Sequence, residues 1–137
     1  MLKKTIKFTD YNGVEREETH YFNLTKAEIM EKEMSTVGGF AEMIKKIVAA
    51  QDTPTLVRVF KEIILEAYGE KSLDGKHFIK IDENGRPLSN KFVQSEAYSV
   101  LFMELATDAE AAAAFINGIV PEDVAKNANQ SNLLPSA

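Results

Sequence analysis

Residues 2–8 set the first constraint on the fold. Leu2, Ile6 and Phe8 alternate with Lys3, Thr5 and Lys7, a period of two that suits a strand and not a helix. The run meets a turn signal, Asp10-Tyr11-Asn12-Gly13, followed by a second run from Val14 to Phe22. Loop length then decides which side chains share a face, because a slip of one residue inverts a strand. A two-residue Asn12-Gly13 turn puts Val14 and Phe22 opposite Ile6 and Phe8. A three-residue loop, Tyr11 to Gly13 with Gly13 in the left-handed region, gathers Leu2, Ile6, Phe8, Val14 and Phe22 on one surface. The hairpin is therefore expected to turn through three residues, with His20 half-buried near the end of its apolar face.

Helical signals dominate the rest. Thr25-Lys26-Ala27-Glu28 has the form of a capping box, with Leu24 and Ile29 placed as its hydrophobic staple. This predicts a helix to about Met34, with Ala27, Met30 and Met34 on one stripe. Gly38-Gly39 breaks the chain before a second helix carrying Phe40, Ile44, Ile47 and Val48 and ending near Gln51. Thr53-Pro54 opens a third, with Leu56, Phe60, Ile63, Ile64 and Ala67 on a wide stripe and Gly69 as its stop. Residues 70–87 are polar and rich in turns, and His77 to Ile81 between them is long enough for one short strand. A fourth helix is expected from Ser89 or Asn90 to about Ala106. Its centre, Val100 to Met103, is apolar nearly all round, so it is either central to the core or presents an apolar face to a partner. Thr107-Asp108-Ala109-Glu110 reads as another capping box, and Asn117-Gly118 as the end of a fifth helix.

Composition narrows the chemistry. The chain has 137 residues, no cysteine and two histidines, His20 and His77. Disulfides, thiolate metal sites and cysteine nucleophiles are excluded, and a histidine relay lacks partners. The formal charge of −5 is unevenly placed: Phe92 to Ala125 holds six acids and no Lys or Arg. Such a segment repels phosphate backbones and argues against nucleic acid as a partner. No run approaches the ~18 apolar residues of a membrane span. Adjacent carboxylates such as Glu15, Glu17 and Glu18 read as solvated charge, since acid/base work needs surroundings that move two pKa values apart. Asp82-Glu83-Asn84-Gly85 is a turn and not a calcium loop, since its glycine falls three residues after the aspartate, with Val93 where the closing glutamate belongs. No nucleophile elbow, zinc or phosphate-loop pattern is present, so the reading is a non-enzyme without cofactor or metal.

Three segments carry a resemblance. Met1 to Val14 with Tyr21 to Glu28, Gly75 to Lys80, and above all Ser95-Glu96-Ala97-Tyr98-Ser99-Val100-Leu101-Phe102-Met103-Glu104-Leu105-Ala106-Thr107 with Phe115 to Ile119, resemble the tail assembly chaperones of siphophages and their prophages. The resemblance implies a protein that binds the tape measure protein and keeps it soluble until the tail tube polymerises. It implies the host cytoplasm, infected or lysogenic, and absence from the mature virion. It also implies contacts with the tail tube protein, a homo-oligomer, or a longer frameshifted form of which this chain is the short version. The competing class is a structural tail or head-tail connector component.

The expected fold is α+β and mostly α-helical: an N-terminal β-hairpin, about five helices, and a short strand or hairpin insertion near residues 74–87. Residues 1–120 form one domain in this reading, with 1–23 the hairpin, 25–120 the helical part, and 121–137 a flexible C-terminal tail. A partner-binding surface is expected on the last two helices, from Glu96, Leu101, Phe102, Met103, Glu104, Glu110 and Phe115. The apolar members would seat an amphipathic helix and the acids would meet its basic residues.

Overall fold

A computed structural model describes residues 1–35 and 53–121. The hairpin comprises β1 (Leu2–Thr9) and β2 (Glu15–Phe22), antiparallel from Leu2↔Phe22 to Thr9↔Glu15. Its loop has three residues, as the face argument requires: the Asp10 amide donates to the Val14 carbonyl and the Gly13 amide to the Asp10 carbonyl. Gly13 sits at φ 78°, where a Cβ would be strained. The Asp10 carboxylate accepts from the Asn12 and Val14 amides at 2.8 and 3.0 Å and from Arg16 Nε at 2.6 Å, so the turn is built by its first residue. Asp82 repeats the device with the Asn84 and Arg86 amides, which confirms that segment as a turn. Leu2, Ile6, Phe8 and Phe22 face the core side, whereas Val14, at the far end of the ribbon, is exposed.

After β2 come α1 (Lys26–Ser35), α2 (Thr53–Ala67), β3 (Tyr68–Lys71), β4 (Phe78–Ile79), α3 (Ser89–Phe92), α4 (Glu96–Thr107) and α5 (Ala109–Ile119). The expectation of a mostly helical domain is corrected here. The strands form one four-stranded antiparallel sheet in the order β1-β2-β3-β4, and the architecture is mixed α+β. The error lies at β3. Tyr68-Gly69-Glu70-Lys71 has no alternation, and its glycine ends α2 in sequence terms. In the fold Gly69 is a strand residue opposite Tyr21. A Cβ there would lie 2.5 Å from the Phe78 ring and 2.8 Å from the Ile79 carbonyl, so the glycine admits β4 rather than stopping a helix. The expected insertion near 74–87 exists in part, as β4 and an Ile81↔Pro87 bridge. The expected helix around Phe40 to Gln51, the Gly38-Gly39 break and the C-terminal tail lie outside the described residues.

The capping box of α1 is present in both directions: Thr25 N–H donates to Glu28 Oε1 at 2.8 Å and Glu28 N–H to Thr25 Oγ1 at 3.1 Å. Leu24 and Ile29 are buried as its staple, but Met30 points to solvent, so the buried side of α1 is not the predicted Ala27–Met30 stripe. Packing decides this, because Leu24 is drawn inward by its amide's hydrogen bond to the Ile119 carbonyl. The core lies between the inner sheet face and α2, α4 and α5. Phe22, Leu24, Ile63, Ile64, Leu101, Leu105 and Ile119 are its most enclosed large side chains. Each is worth about 1.5–3 kcal/mol of apolar burial.

Lys80 joins the two halves. Its ammonium donates to the Asn23 carbonyl at 2.8 Å, the Glu66 carbonyl at 2.7 Å and Glu28 Oε2 at 2.7 Å. All three of its donors are used. Glu66 lies in the last turn of α2, where carbonyls lack helical partners and a cation is favoured. Burial pushes the Glu28 carboxyl up, and the hydrogen bonds from Lys80 and Thr25 outweigh it, leaving the group below the usual carboxylate range. Lys80→Met keeps the length but leaves these acceptors without a donor. It is expected to cost about 2–3 kcal/mol in urea unfolding, and a loss under 0.5 kcal/mol, the range of neutral surface changes, contradicts the clamp. Gly69→Ala is expected to cost about 1–3 kcal/mol by overpacking, partly recovered when Phe78→Leu removes the ring, read from the same curves.

Candidate partner-binding site

The C-terminal helix pair begins at Ser95, not at Ser89 or Asn90. Residues 89–92 close a short separate helix, and the chain turns before Ser95, whose backbone is extended and whose Oγ accepts from the Tyr98 amide at 3.3 Å. The second cap is likewise one residue later than the predicted box. Asp108, not Thr107, accepts from the Glu110 and Ala111 amides at 3.0 and 3.2 Å. Thr107 instead donates its hydroxyl to the Met103 carbonyl at 2.6 Å. Since the Asp108 amide also donates to the Glu104 carbonyl, α4 and α5 meet at one residue with no loop between them. The last helix continues past Gly118 to Ile119, because the missing Cβ of Gly118 leaves room for the Leu2 side chain.

The all-round apolar centre of α4 resolves into two faces. Ala97, Leu101 and Leu105, spaced by four, are buried. Val100 and Met103 are 42% and 54% exposed on the other side. The seven residues expected to form the partner surface therefore separate. Leu101 and Phe115 belong to the core, and Phe115 meets Phe22 edge-on with centroids 5.2 Å apart. Phe102 is half-buried, 5.9 Å from the Tyr98 ring. Met103, Glu104 and Glu110 are exposed, and Glu96 is half-buried at the α4 N-terminus, where its charge suits the helix dipole. On α5, Ala113, Ala114 and Asn117 face solvent in line with Glu110, while Ala112, Phe115, Ile116 and Ile119 pack inward.

Strand β1 flanks this surface. Lys4 Nζ lies 2.6 Å from Glu104 Oε1 with both side chains about a third or more exposed, a pair worth about 0–1 kcal/mol. Lys7 approaches Glu17 across the hairpin at 4.0 Å, whereas Lys4 turns to Glu104. A shallow hollow of about 280 Å³ runs between Lys4–Lys7 and Val100–Glu104. Tyr11 is exposed, yet partial desolvation of its hydroxyl and the nearby Glu96 carboxylate raise the phenol above its ordinary value. The acids of α4 are thus partly engaged by the hairpin, Val100 borders the hollow beside β1, and Met103 is exposed.

Beneath the surface runs a line of rings absent from the sequence expectations. Tyr68 stacks on Phe92 (4.3 Å, 12°), Phe22 meets both edge-on, and Tyr98 joins Phe92 to Phe102. His20 sits 4.9 Å from Phe92. The Phe22↔Tyr68 pairing brings Tyr68 into this line, and that rests on the unanticipated β3. Among the described residues, no group of three or more His, Asp or Glu is placed to hold a metal ion, and no helix is long and apolar enough to cross a membrane.

The sheet and helix pair define a small α+β protein. The chain matches the family model described as phage tail assembly chaperone over residues 1–136, and it belongs to that family. No curated protein and no solved structure matches it. Membership implies interaction with tail proteins.

Burial lowers the His20 pKa against the raising effect of Glu18 and Glu70. Neutral His20 therefore favours the fold above its ordinary 6.5, and that stability is lost as pH falls below it. Glu28 has the usual carboxylate sign, with its contribution present above 4.5 and lost as pH falls further. Thermal unfolding is expected to show a decline from about pH 7.5 to 5.5 that His20→Phe abolishes. An equal decline in the variant contradicts the assignment.

Proposed function

We propose that this protein binds the tape measure protein of a phage tail and keeps it soluble until the tail tube polymerises around it. It acts in the cytoplasm of the infected or lysogenic bacterium and leaves before the virion is complete. The observation that carries the reading is the family match along nearly the whole chain.

The exposed part of the helix pair suits such a client. Val100 and Met103 give an apolar contact, and methionine's flexible thioether fits surfaces of varied shape. Glu104, Glu110 and Glu96 ring it with negative charge, which steers basic residues of a client helix toward it. Leu101 and Phe115 hold α4 and α5 in place from the core and do not touch the client. The tail tube protein, a second copy, and a longer frameshifted product are further partners in this reading.

Co-expression with the tape measure protein is the test. The wild-type chain is expected to raise its soluble fraction and co-purify with it. Val100→Ser with Met103→Gln is expected to lose most of that effect while staying folded, with stability within about 0.5–1 kcal/mol of wild type. Full solubilisation by the folded double variant places the client elsewhere, and no solubilisation by the wild-type chain removes the reading.

A further inference from the structure

Strand β3 pairs with β2 only at Tyr21↔Gly69 and Phe22↔Tyr68, then leaves it to pair with β4 through Glu70↔Ile79 and Lys71↔Phe78. The β1–β2 ladder continues to Thr9↔Glu15. The sheet therefore forks beyond Gly69, and a hollow of about 530 Å³ opens between Glu18–Tyr21 and Tyr68–Lys71. Backbone groups of alternate residues face opposite edges of an antiparallel strand. The Asp10 amide on the Val14 carbonyl directs the even-numbered residues of β2 toward β1. The odd-numbered ones face the other edge, as the Asn23 amide does on the Ala67 carbonyl at 2.8 Å. Glu17 and Thr19 thus present amide and carbonyl groups to the fork, with no strand opposite them among the described residues.

The fork also has a specific chemistry. Glu18 and His20 alternate onto the face that Tyr68 and Glu70 share. The charges of both glutamates act on the His20 and Tyr68 rings. Tyr68 is held flat by its stack on Phe92, and His20 lies 5.9 Å from it. The Glu18 carboxylate is 3.3 Å from His20 Nε2 but misaligned, and that nitrogen is enclosed without a hydrogen-bond partner. Of the cations nearby, Arg16 is taken by Asp10 and Lys71 lies 3.4 Å from the Ser72 carbonyl. Two carboxylates beside flat rings match the fork geometry and planar face of a guanidinium, which an ammonium cannot reproduce.

We propose that this fork docks an extended segment of a partner protein, which adds as a short strand to Glu17–Thr19 and sets an arginine between Glu18 and Glu70 over the Tyr68 and His20 rings. The site is separate from the α4–α5 surface and does not depend on which tail protein is the client. A second copy adding through its own β2 is disfavoured, because Glu15, Glu17 and Glu18 would meet the same residues.

The probe is a fluorescein-labelled nonapeptide of alternating threonine and valine with a central arginine, titrated by fluorescence polarisation into the full chain. It is expected to bind. Glu18→Gln with Glu70→Gln, both exposed and compatible with the fold, is expected to weaken it about five- to tenfold. A peptide with central glutamate, and one with prolines flanking the arginine, are expected not to bind. No binding at millimolar arginine peptide, equal binding of the glutamate peptide, or unchanged affinity in the double variant overturns the proposal. So does sedimentation showing a dimer that the double substitution dissociates.

Discussion

Lys80 holds together three segments that are distant along the chain. Its ammonium satisfies the Asn23 carbonyl just after β2, a carbonyl in the last turn of α2, and the glutamate of the α1 capping box. The Asn23 carbonyl and the Glu28 carboxylate oxygen would otherwise sit in a partly enclosed place without this donor, where loss of a hydrogen bond is most costly. The residue is delivered there by β4, which in turn lies close to β3 because Gly69 has no side chain. The close approach at Gly69 and the clamp at Lys80 are successive consequences of one packing arrangement, and the clamp ties in the locally formed Thr25–Glu28 cap. The four-stranded sheet depends on it, and so does the inner face against which α4 and α5 rest.

That face determines what the C-terminal helices can offer. Ala97, Leu101 and Leu105 commit one side of α4 to the core, and the 3.6-residue period leaves Val100 and Met103 outside. The direct junction at Asp108 fixes α5 beside it, with Glu110, Ala113 and Ala114 outward. The result is a firmly held apolar contact in an acidic setting, on a member of the phage tail assembly chaperone family. The forked end of the sheet is a different kind of surface, polar and strand-like, on β2 and β3.

Parts of this were legible from residue order, and the failures have physical causes. The hairpin register followed from requiring Ile6, Phe8 and Phe22 on one face, and the Thr25–Glu28 box from its spacing; both are local effects. β3 was not legible, since Tyr68-Gly69-Glu70-Lys71 is a strand through its partners and not its pattern. Calling the domain mostly helical followed from that omission. The start of α4 was misplaced because Ser89, Asn90 and Ser95 are all competent caps, and only the turn after Phe92 selects Ser95. On the candidate surface, the apolar run Val100–Met103 could not reveal which residues face inward, since every phase of a helix through it looks alike. Leu101 and Phe115 went to the core, and Met103 and Glu104 to solvent.

The proposed function places the client on the outer side of α4. The chain has no cysteine, so Met103→Cys supplies a unique attachment point for a photo-crosslinker, and Leu73→Cys, at a fully exposed turn between β3 and β4, supplies the control. Crosslinking in the presence of the tape measure protein is expected to yield an adduct from position 103 and not from position 73. Adducts of equal yield from both, or from position 73 alone, would contradict the account.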